Sequence, residues 1–443
     1  MGLPTFKKGI HPDDMKSLTN NKPIEKLPLP EEVFIPLQQH IGVPGDVLVE
    51  KGDEIKTGQV IGKSEKFVSS PVHSSITGKV KAVDKFQHPL GLKATMIHIE
   101  KTSDEDDWEK LDSIEDWQNA SIEDLRNHIW QAGIVGLGGA AFPTHVKLAP
   151  PKEKEINTFI LNGVECEPFL TADHRAMLEM GEKMLAGMSI IMKILGTENG
   201  YIGIENNKPD AIDVMRDLTA KQFSSFKVVP LKVKYPQGAE KMLIEAIVKR
   251  RVPAGGLPMD VGTVVNNVGT ALAVANAVLE GKPLVERIVT VTGQGITEPK
   301  NLLVRLGSPF KYLIDYCGGL KKTTTQVYMG GPMMGFAQYD MNVPIVKATS
   351  GIICQEKNDV LNKKTYPCIQ CGNCVTACPM NLLPTRLSSF AESSKLEEAE
   401  EFGILNCIEC GSCSYVCPSN IPLVQWIRVG KLRVSESKRK KVA

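Results

Sequence analysis

The feature that most limits what this chain can fold into is a cysteine pattern that occurs twice near its C-terminal end. It reads Cys368-x2-Cys371-x2-Cys374-x3-Cys378-Pro379, then Cys407-x2-Cys410-x2-Cys413-x3-Cys417-Pro418. Three thiolates at i, i+3 and i+6 wrap one face of a cubane iron–sulfur cluster. The fourth, followed by proline, is directed to the other cluster. The spacing therefore assigns Cys368, Cys371, Cys374 and Cys417 to one 4Fe–4S centre, and Cys407, Cys410, Cys413 and Cys378 to a second. Two structural zinc knots are the alternative, because zinc also takes paired Cys-x2-Cys ligands. Zinc has no use for a third evenly spaced cysteine or for Cys-Pro, so clusters are the expected reading. A chain built around two such centres moves single electrons.

At 443 residues the chain exceeds one hydrophobic core, and about two to four domains are expected. Its net charge of +1 gives no electrostatic preference for nucleic acid. Of eleven cysteines the two motifs use eight, leaving Cys166, Cys317 and Cys354. Ligand spacing with an odd remainder points to a reducing compartment, not a disulfide scaffold. Residues 1–10 lack an apolar signal core. No stretch approaches the roughly 20 apolar residues of a membrane span. Any work at a membrane is expected to be that of a peripheral subunit.

Residues 31–100 read as short strands separated by turns such as Val43-Pro-Gly-Asp46 and Lys51-Gly-Asp53, which predicts a small β barrel or sandwich. Residues 101–120 are acidic and weakly apolar, and read as a linker. Ser121-Ile-Glu-Asp124 then looks like a helix N-terminus and Gly133 like its stop. Strands are expected at 156–162, 200–205, 226–235 and 262–267. They alternate with helices at 173–195, 209–221, 238–251 and 268–279. Such alternation predicts a layered α/β domain with a mostly parallel sheet. Residues 285–345 return to strand character around a short helix at 310–317. A single helix is expected at 387–402 between the two cysteine motifs. The last residues are basic (Lys438-Arg-Lys-Lys441) and read as a solvated tail. The Met-rich stretches 177–192 and 329–334 fit core filling better than a cofactor role.

Gly136-Leu-Gly-Gly-Ala-Ala-Phe-Pro-Thr144 is the second informative segment. Clustered glycines leave backbone N–H groups open to an anion, and a helix can start at Thr144 with its N-terminus toward phosphate. It is not a dinucleotide fingerprint, since it follows a helix and position 141 is Ala. On its own, a ligand-free glycine turn is an equal reading.

The segment has companions: Asn162-Gly-Val-Glu-Cys-Glu-Pro168, Tyr235-Pro-Gln-Gly-Ala-Glu240 and Val265-Asn-Asn-Val-Gly-Thr270. In this order the four resemble the flavin-site segments of the NADH-binding subunit of respiratory complex I. Together with the N-terminal β domain and the two-cluster C-terminus, they resemble the RnfC family of the Rnf complexes, the ion-translocating ferredoxin:NAD oxidoreductases. The resemblance runs from about residue 4 to 420. It implies a multidomain α/β fold: an N-terminal β barrel-sandwich hybrid (1–105), a central Rossmann-like FMN/NADH domain (121–284), a β-grasp module of the soluble-ligand-binding type (285–350), a dicluster ferredoxin domain (360–425) and a basic tail (426–443). The β domain also resembles a biotinyl/lipoyl carrier, but Lys63 and Lys66 lack the flanking context for modification, so an unmodified docking domain is expected.

The resemblance also implies residue roles. Gly136, Gly138 and Gly139 line the flavin phosphate and ribityl chain, with a positive charge from Lys147. Asn162, Glu165 and Cys166 hold the ring region, and Tyr235, Gly238 and Glu240 close another wall. Asn266, Asn267 and Thr270 meet phosphate or hydroxyls at a helix start. Phe142 and Glu167 face the nicotinamide nucleotide. Leu137, Val164 and Ala239 stand where the complex I subunit has Arg, Asp and Glu. The implied activity is electron transfer between NAD(H), FMN and two 4Fe–4S clusters in a peripheral subunit on the cytoplasmic side of the cell membrane. Its implied partners are the Rnf membrane subunits, an iron–sulfur subunit and, indirectly, ferredoxin. A soluble flavin/iron–sulfur reductase of the cobalamin-reductase type is the closest alternative. A relay scaffold without flavin is a further one.

Overall fold

The computed structural model describes residues 2–357 and 364–442. The N-terminal module pairs two small sheets. One runs Glu32–Pro36, Lys93–Lys101, Gly78–Gln87, Glu54–Ile55, and the other Asp46–Val47, Val60–Lys63, Val72–His73. Alternation decides which side faces in. Val33 and Ile35 are buried while Glu32 is exposed, and Ile61, Val72, Ile97 and Ile99 complete the core.

The expected linker is not free. Thr57 and Trp108 form a β-bridge, and the N–H groups of Leu111 and Ile114 donate to the carbonyls of Gly281 (2.8 Å) and Val278 (2.7 Å). Trp108 is faced by the Arg305 and Lys282 cations at 5.0 and 5.2 Å. Its few apolar residues are anchors, which an acidic composition hides.

The central sheet has four parallel strands in the order Phe226–Leu231, Gly200–Glu205, Thr158–Asn162, Thr263–Asn267. Thr158–Asn162 is buried along nearly its whole length, as befits a strand covered on both faces. Helices Ala172–Leu195, Pro209–Gln222 and Val268–Glu280 flank it. Ser121 caps Ile122–Gln131 by accepting the Asp124 N–H, as expected. Two predicted boundaries contract: the third strand stops at Leu231, and the helix expected from 238 runs Glu240–Val248.

A second sheet holds six strands: Ile24–Lys26, Lys300–Arg305, Glu286–Thr292, Gly351–Glu356, Thr324–Met329, Phe336–Gln338. Ile24–Lys26 and Gly351–Glu356 join it from outside the segment 285–345, so the sheet takes in sequence-distant strands.

The cysteine-rich end is helical, with Asn373–Ala377, Pro384–Glu392, Leu396–Glu401, Ser412–Tyr415 and Leu423–Val442. Two expectations change here. The single helix at 387–402 is broken at Ser393 and Ser394, the latter in the left-handed region at φ 56°. The expected basic tail 426–443 belongs to a helix whose Ile427 and Val434 pack with Leu387, Ala391 and Ile404, while Lys438, Arg439 and Lys440 near its end are exposed. No helix among the described residues is long and apolar enough to cross a membrane.

Candidate functional site

The glycine segment folds back on itself. The Gly136 N–H donates to the Phe142 carbonyl at 2.9 Å, and the Leu137 N–H to Thr270 Oγ1 at 2.9 Å. Gly138 lies so close to Asn267 that an added Cβ would stand 2.7 Å from the Asn267 Cβ, whereas Gly139 faces open space. The helix predicted from Thr144 is one turn, Thr144–Lys147. Lys147 pairs with Glu240 at 2.5 Å. Phe142 is partly exposed at the edge of the segment.

Asn267 caps helix Val268–Glu280, accepting the Gly269 N–H at 2.8 Å, and its amide donates to Asp173 Oδ2 at 2.6 Å. Asn266 beside it is buried, and its Oδ1 has no hydrogen-bond partner. Glu165, at φ 46°, accepts the Asp173 N–H at 2.7 Å at the start of helix Ala172–Leu195. Burial, then the Glu165 charge, pushes the Asp173 carboxyl up.

A second group closes the opposite wall. Asn162 Nδ2 donates to the Gly238 carbonyl at 2.9 Å, and the Gly238 N–H to Cys166 Sγ at 3.2 Å. Burial pushes the Cys166 thiol well above its ordinary value. Tyr235 Oη donates to Glu167 Oε1 at 3.4 Å, and the Glu167 carboxylate also accepts the Met333 and Met334 N–H groups at 3.1 and 3.0 Å. Burial pushes Glu167 up to about 7 against those two amides and Lys16.

Sequence reasoning missed several participants. Lys16 donates to the Glu167 and Leu170 carbonyls and lies 3.9 Å from Glu165. Arg287, pulled down to about 10 by burial, donates to the Leu137 and Lys347 carbonyls. With Asp173, Asn267 and Leu137 it lines a cavity of about 280 Å³ between the two long helices and the second sheet. These side chains reach the site from distant segments, and no local spacing announces them.

Four of the eight motif cysteines meet at one place. Cys378, Cys407, Cys410 and Cys413 line one small, apolar-walled cavity with Leu382, Leu387, Val424 and Ile427. Their thiols feel one another: Cys407 and Cys413 are raised by burial first, then by the other thiols of this set. Cys374 has Cys417 as its thiol neighbour, and both pack with Leu423 and Val424. Cys368 and Cys371 are exposed. Among the described residues no three His, Cys, Asp or Glu side chains are set to hold one metal ion. Cys410 shares one buried apolar cluster with Tyr235 and Ile10, which Cys166 and Met333 border, so the four-cysteine cavity and the Tyr235–Glu167 wall adjoin.

Residues 4–104 match the RnfC barrel sandwich hybrid domain, 129–276 the Nuo51 FMN-binding domain, 288–337 the SLBB domain and 367–421 the 4Fe-4S dicluster domain. The chain is 52% identical over 428 residues to the C component of the proton-translocating ferredoxin:NAD(+) oxidoreductase complex of Clostridium ljungdahlii, covering 96% of this chain and 93% of the relative. It is 43% identical over 440 residues to the C component of the Na(+)-translocating complex of Acetobacterium woodii, with 98% of each covered. A solved NAD+-reducing nickel–iron hydrogenase shares the fold at TM-score 0.51 and 17% identity, over 72% of this chain and 61% of that one. Four matched domains in order and relatives this similar over nearly the whole length lead to one conclusion: the chain belongs to the RnfC family, the C components of the ion-translocating ferredoxin:NAD+ oxidoreductase complexes.

Proposed function

We propose that this chain is the nicotinamide-reacting electron-transfer subunit of such a complex, peripheral to its membrane subunits and on their cytoplasmic side. The observation that carries the reading is the shared wall: Cys410, one of four cysteines around a common cavity, lies in one buried cluster with Tyr235 of the flavin-type segments, and Cys166 borders that cluster.

The residues present fit the cofactors. For FMN there is an open glycine segment, a helix start capped by Asn267 and the buried, partnerless Asn266 Oδ1. Gly136, Gly138, Gly139, Asn266, Asn267 and Thr270 would hold the phosphate and ribityl end, with Lys147 as the nearby cation. Asn162, Glu165, Cys166, Tyr235, Gly238 and Glu240 would border the ring, and Phe142 stands at the edge where a nucleotide could enter. For the clusters, Cys378, Cys407, Cys410 and Cys413 would hold the inner centre and Cys368, Cys371, Cys374 and Cys417 the outer one. When bound, a flavin exchanges electron pairs with a nicotinamide and single electrons with 4Fe–4S centres, which is the chemistry the pairing supplies.

The chain's own groups bind and orient. The Asn267–Asp173 and Asn162–Gly238 bonds fix the two walls, and the apolar lining of the inner cysteine cavity keeps water from it. No side-chain acid or base is required for hydride exchange. The exposed Cys368, Cys371, Ile369 and Tyr366 put the outer centre at the surface, open to the approach of an iron–sulfur partner. The barrel-sandwich domain at 4–104 favours this reading over a soluble cobalamin-type reductase.

The test is an anaerobic NADH titration of the full chain, reconstituted with clusters and FMN. Both flavin and iron–sulfur absorbance should bleach at near-stoichiometric NADH. Bleaching by dithionite alone would refute the nucleotide site.

A further inference from the structure

The loop Gly330-Gly-Pro-Met-Met-Gly335 joins strands Thr324–Met329 and Phe336–Gln338, and composition alone makes it a core filler. Its contacts say otherwise. On one side, the N–H groups of Met333 and Met334 both donate to the Glu167 carboxylate. The approach is so close that a Cβ on Gly331 would stand 2.1 Å from Glu167 Oε2. On the other side, the carbonyls of the same two residues meet the cysteine module. The Met333 carbonyl abuts Gly411, between Cys410 and Cys413, where an added Cβ would lie 2.7 Å away. The Met334 carbonyl accepts from Arg428 Nη2 at 2.9 Å. Arg428 also sits over the Phe336 ring at 5.2 Å and pairs with Glu409 at 3.3 Å. Glu409 pairs with Lys431 at 2.6 Å, and Lys431 donates to the Cys407 carbonyl at 2.8 Å. The Met333 side chain packs with Cys410, Tyr235 and Cys166.

We infer that loop 330–335 is a strap that holds the inner cysteine cage against the flavin wall, and that Glu167 is its anchor, a positioning residue and not a nucleotide contact. This rests on the electron-transfer reading above. Two residues bonded by N–H to one module, with the Met334 carbonyl bonded to the other and the Met333 carbonyl packed on it, fix both the separation and the orientation of the two sites. A carboxylate has about four acceptor positions. Three are engaged here by Met333, Met334 and Tyr235, which leaves little for a ribose hydroxyl. Transfer between fixed centres depends steeply on their separation, and sites of this kind tolerate only about 0.5 Å of looseness.

The experiment compares wild type, Glu167→Ala and Gly331→Ala in the full chain loaded with clusters and FMN. Backbone hydrogen exchange is read over 329–336 and 407–416, and rapid-mixing absorbance is followed after NADH. Both variants should lose protection in both segments. Cluster bleaching should slow by roughly tenfold to a hundredfold, while flavin bleaching and KM for NADH stay within about twofold. Unchanged exchange in 329–336 and 407–416 overturns the strap. A raised KM with cluster bleaching still keeping pace with flavin overturns the positioning role and makes Glu167 a nucleotide contact. Should wild type itself ignore NADH, the electron-transfer reading fails, and the exchange data still decide the strap. Gly331→Ala leaves the carboxylate in place, so the test survives if Glu167→Ala does not fold.

Discussion

Gly138 and Asn267 touch so closely that no larger residue than glycine fits at 138 without displacing the helix cap. Gly138→Ala should push Asn267 off Asp173, cost about 1–3 kcal/mol of strain and weaken FMN binding. Fluorescence titration of apo-protein with FMN checks this; unchanged affinity would remove Gly138 from the site. Lys347 supplies a pH-dependent case. Its ammonium donates to the carbonyls of Pro71 (2.8 Å) and Gly133 (2.6 Å), which ties three modules together, and burial pulls it from 10.5 down to about 7. The unfolded chain keeps that proton up to about 10.5 and the folded chain only up to about 7. The unfolded state therefore binds more protons in this window, and stability rises with pH across it. The Tm of wild type minus that of Lys347→Met should increase from about pH 7 toward about pH 10, and a flat difference would contradict the burial account. The cysteines are legible at this scale because ligand spacing is written in the sequence. Lys16, Lys347 and Arg287 are not, because each is satisfied by carbonyls of remote segments.

The parallel α/β elements are readable because strand burial and helix caps leave local signs: Ser121 before its helix, Asn267 before another, and the apolar run at Thr158–Asn162. The C-terminal helix reads instead as a tail. Its apolar positions Leu423, Val424, Ile427 and Val434 are few and lie beside a run of lysines and arginines, so charge masks their spacing. Yet Ile427 is 1% exposed and packs in the core of the cysteine module. Ile427→Ala should cost about 2–4 kcal/mol there and lower the temperature at which cluster absorbance is lost, leaving the N-terminal β module unaffected. The strands Ile24–Lys26 and Gly351–Glu356 show a different limit. Ile24–Lys26, only three residues long, is recruited by a sheet edge formed elsewhere, and Gly351–Glu356 inserts between Glu286–Thr292 and Thr324–Met329.

At the scale of the whole molecule, the flavin-type segments and the cysteine module converge at the Tyr235 wall. The N-terminal segment bridges them: Lys8 Nζ donates to the Val375 carbonyl, the Gly9 N–H to Ala377, Ile10 pairs with Tyr235, and Lys16 reaches Glu165 and Glu167. The order of modules is legible from motifs and resemblance, whereas this convergence is not, since it depends on contacts across more than two hundred residues of sequence. It produces the central claim of the proposed function: the Cys378/Cys407/Cys410/Cys413 centre lies between the flavin wall and the exposed Cys368/Cys371 side, and electrons pass between flavin and the outer centre through it. The most direct measurement compares Cys378→Ser with Cys417→Ser, each reconstituted to its one remaining cluster and FMN and mixed anaerobically with NADH. Cys417→Ser should still bleach flavin and its inner cluster together. Cys378→Ser should stop at reduced flavin, with the outer cluster left oxidised on the same timescale. If instead the outer cluster of Cys378→Ser is reduced as fast as that of wild type, the inner centre is not on the path and the account is wrong.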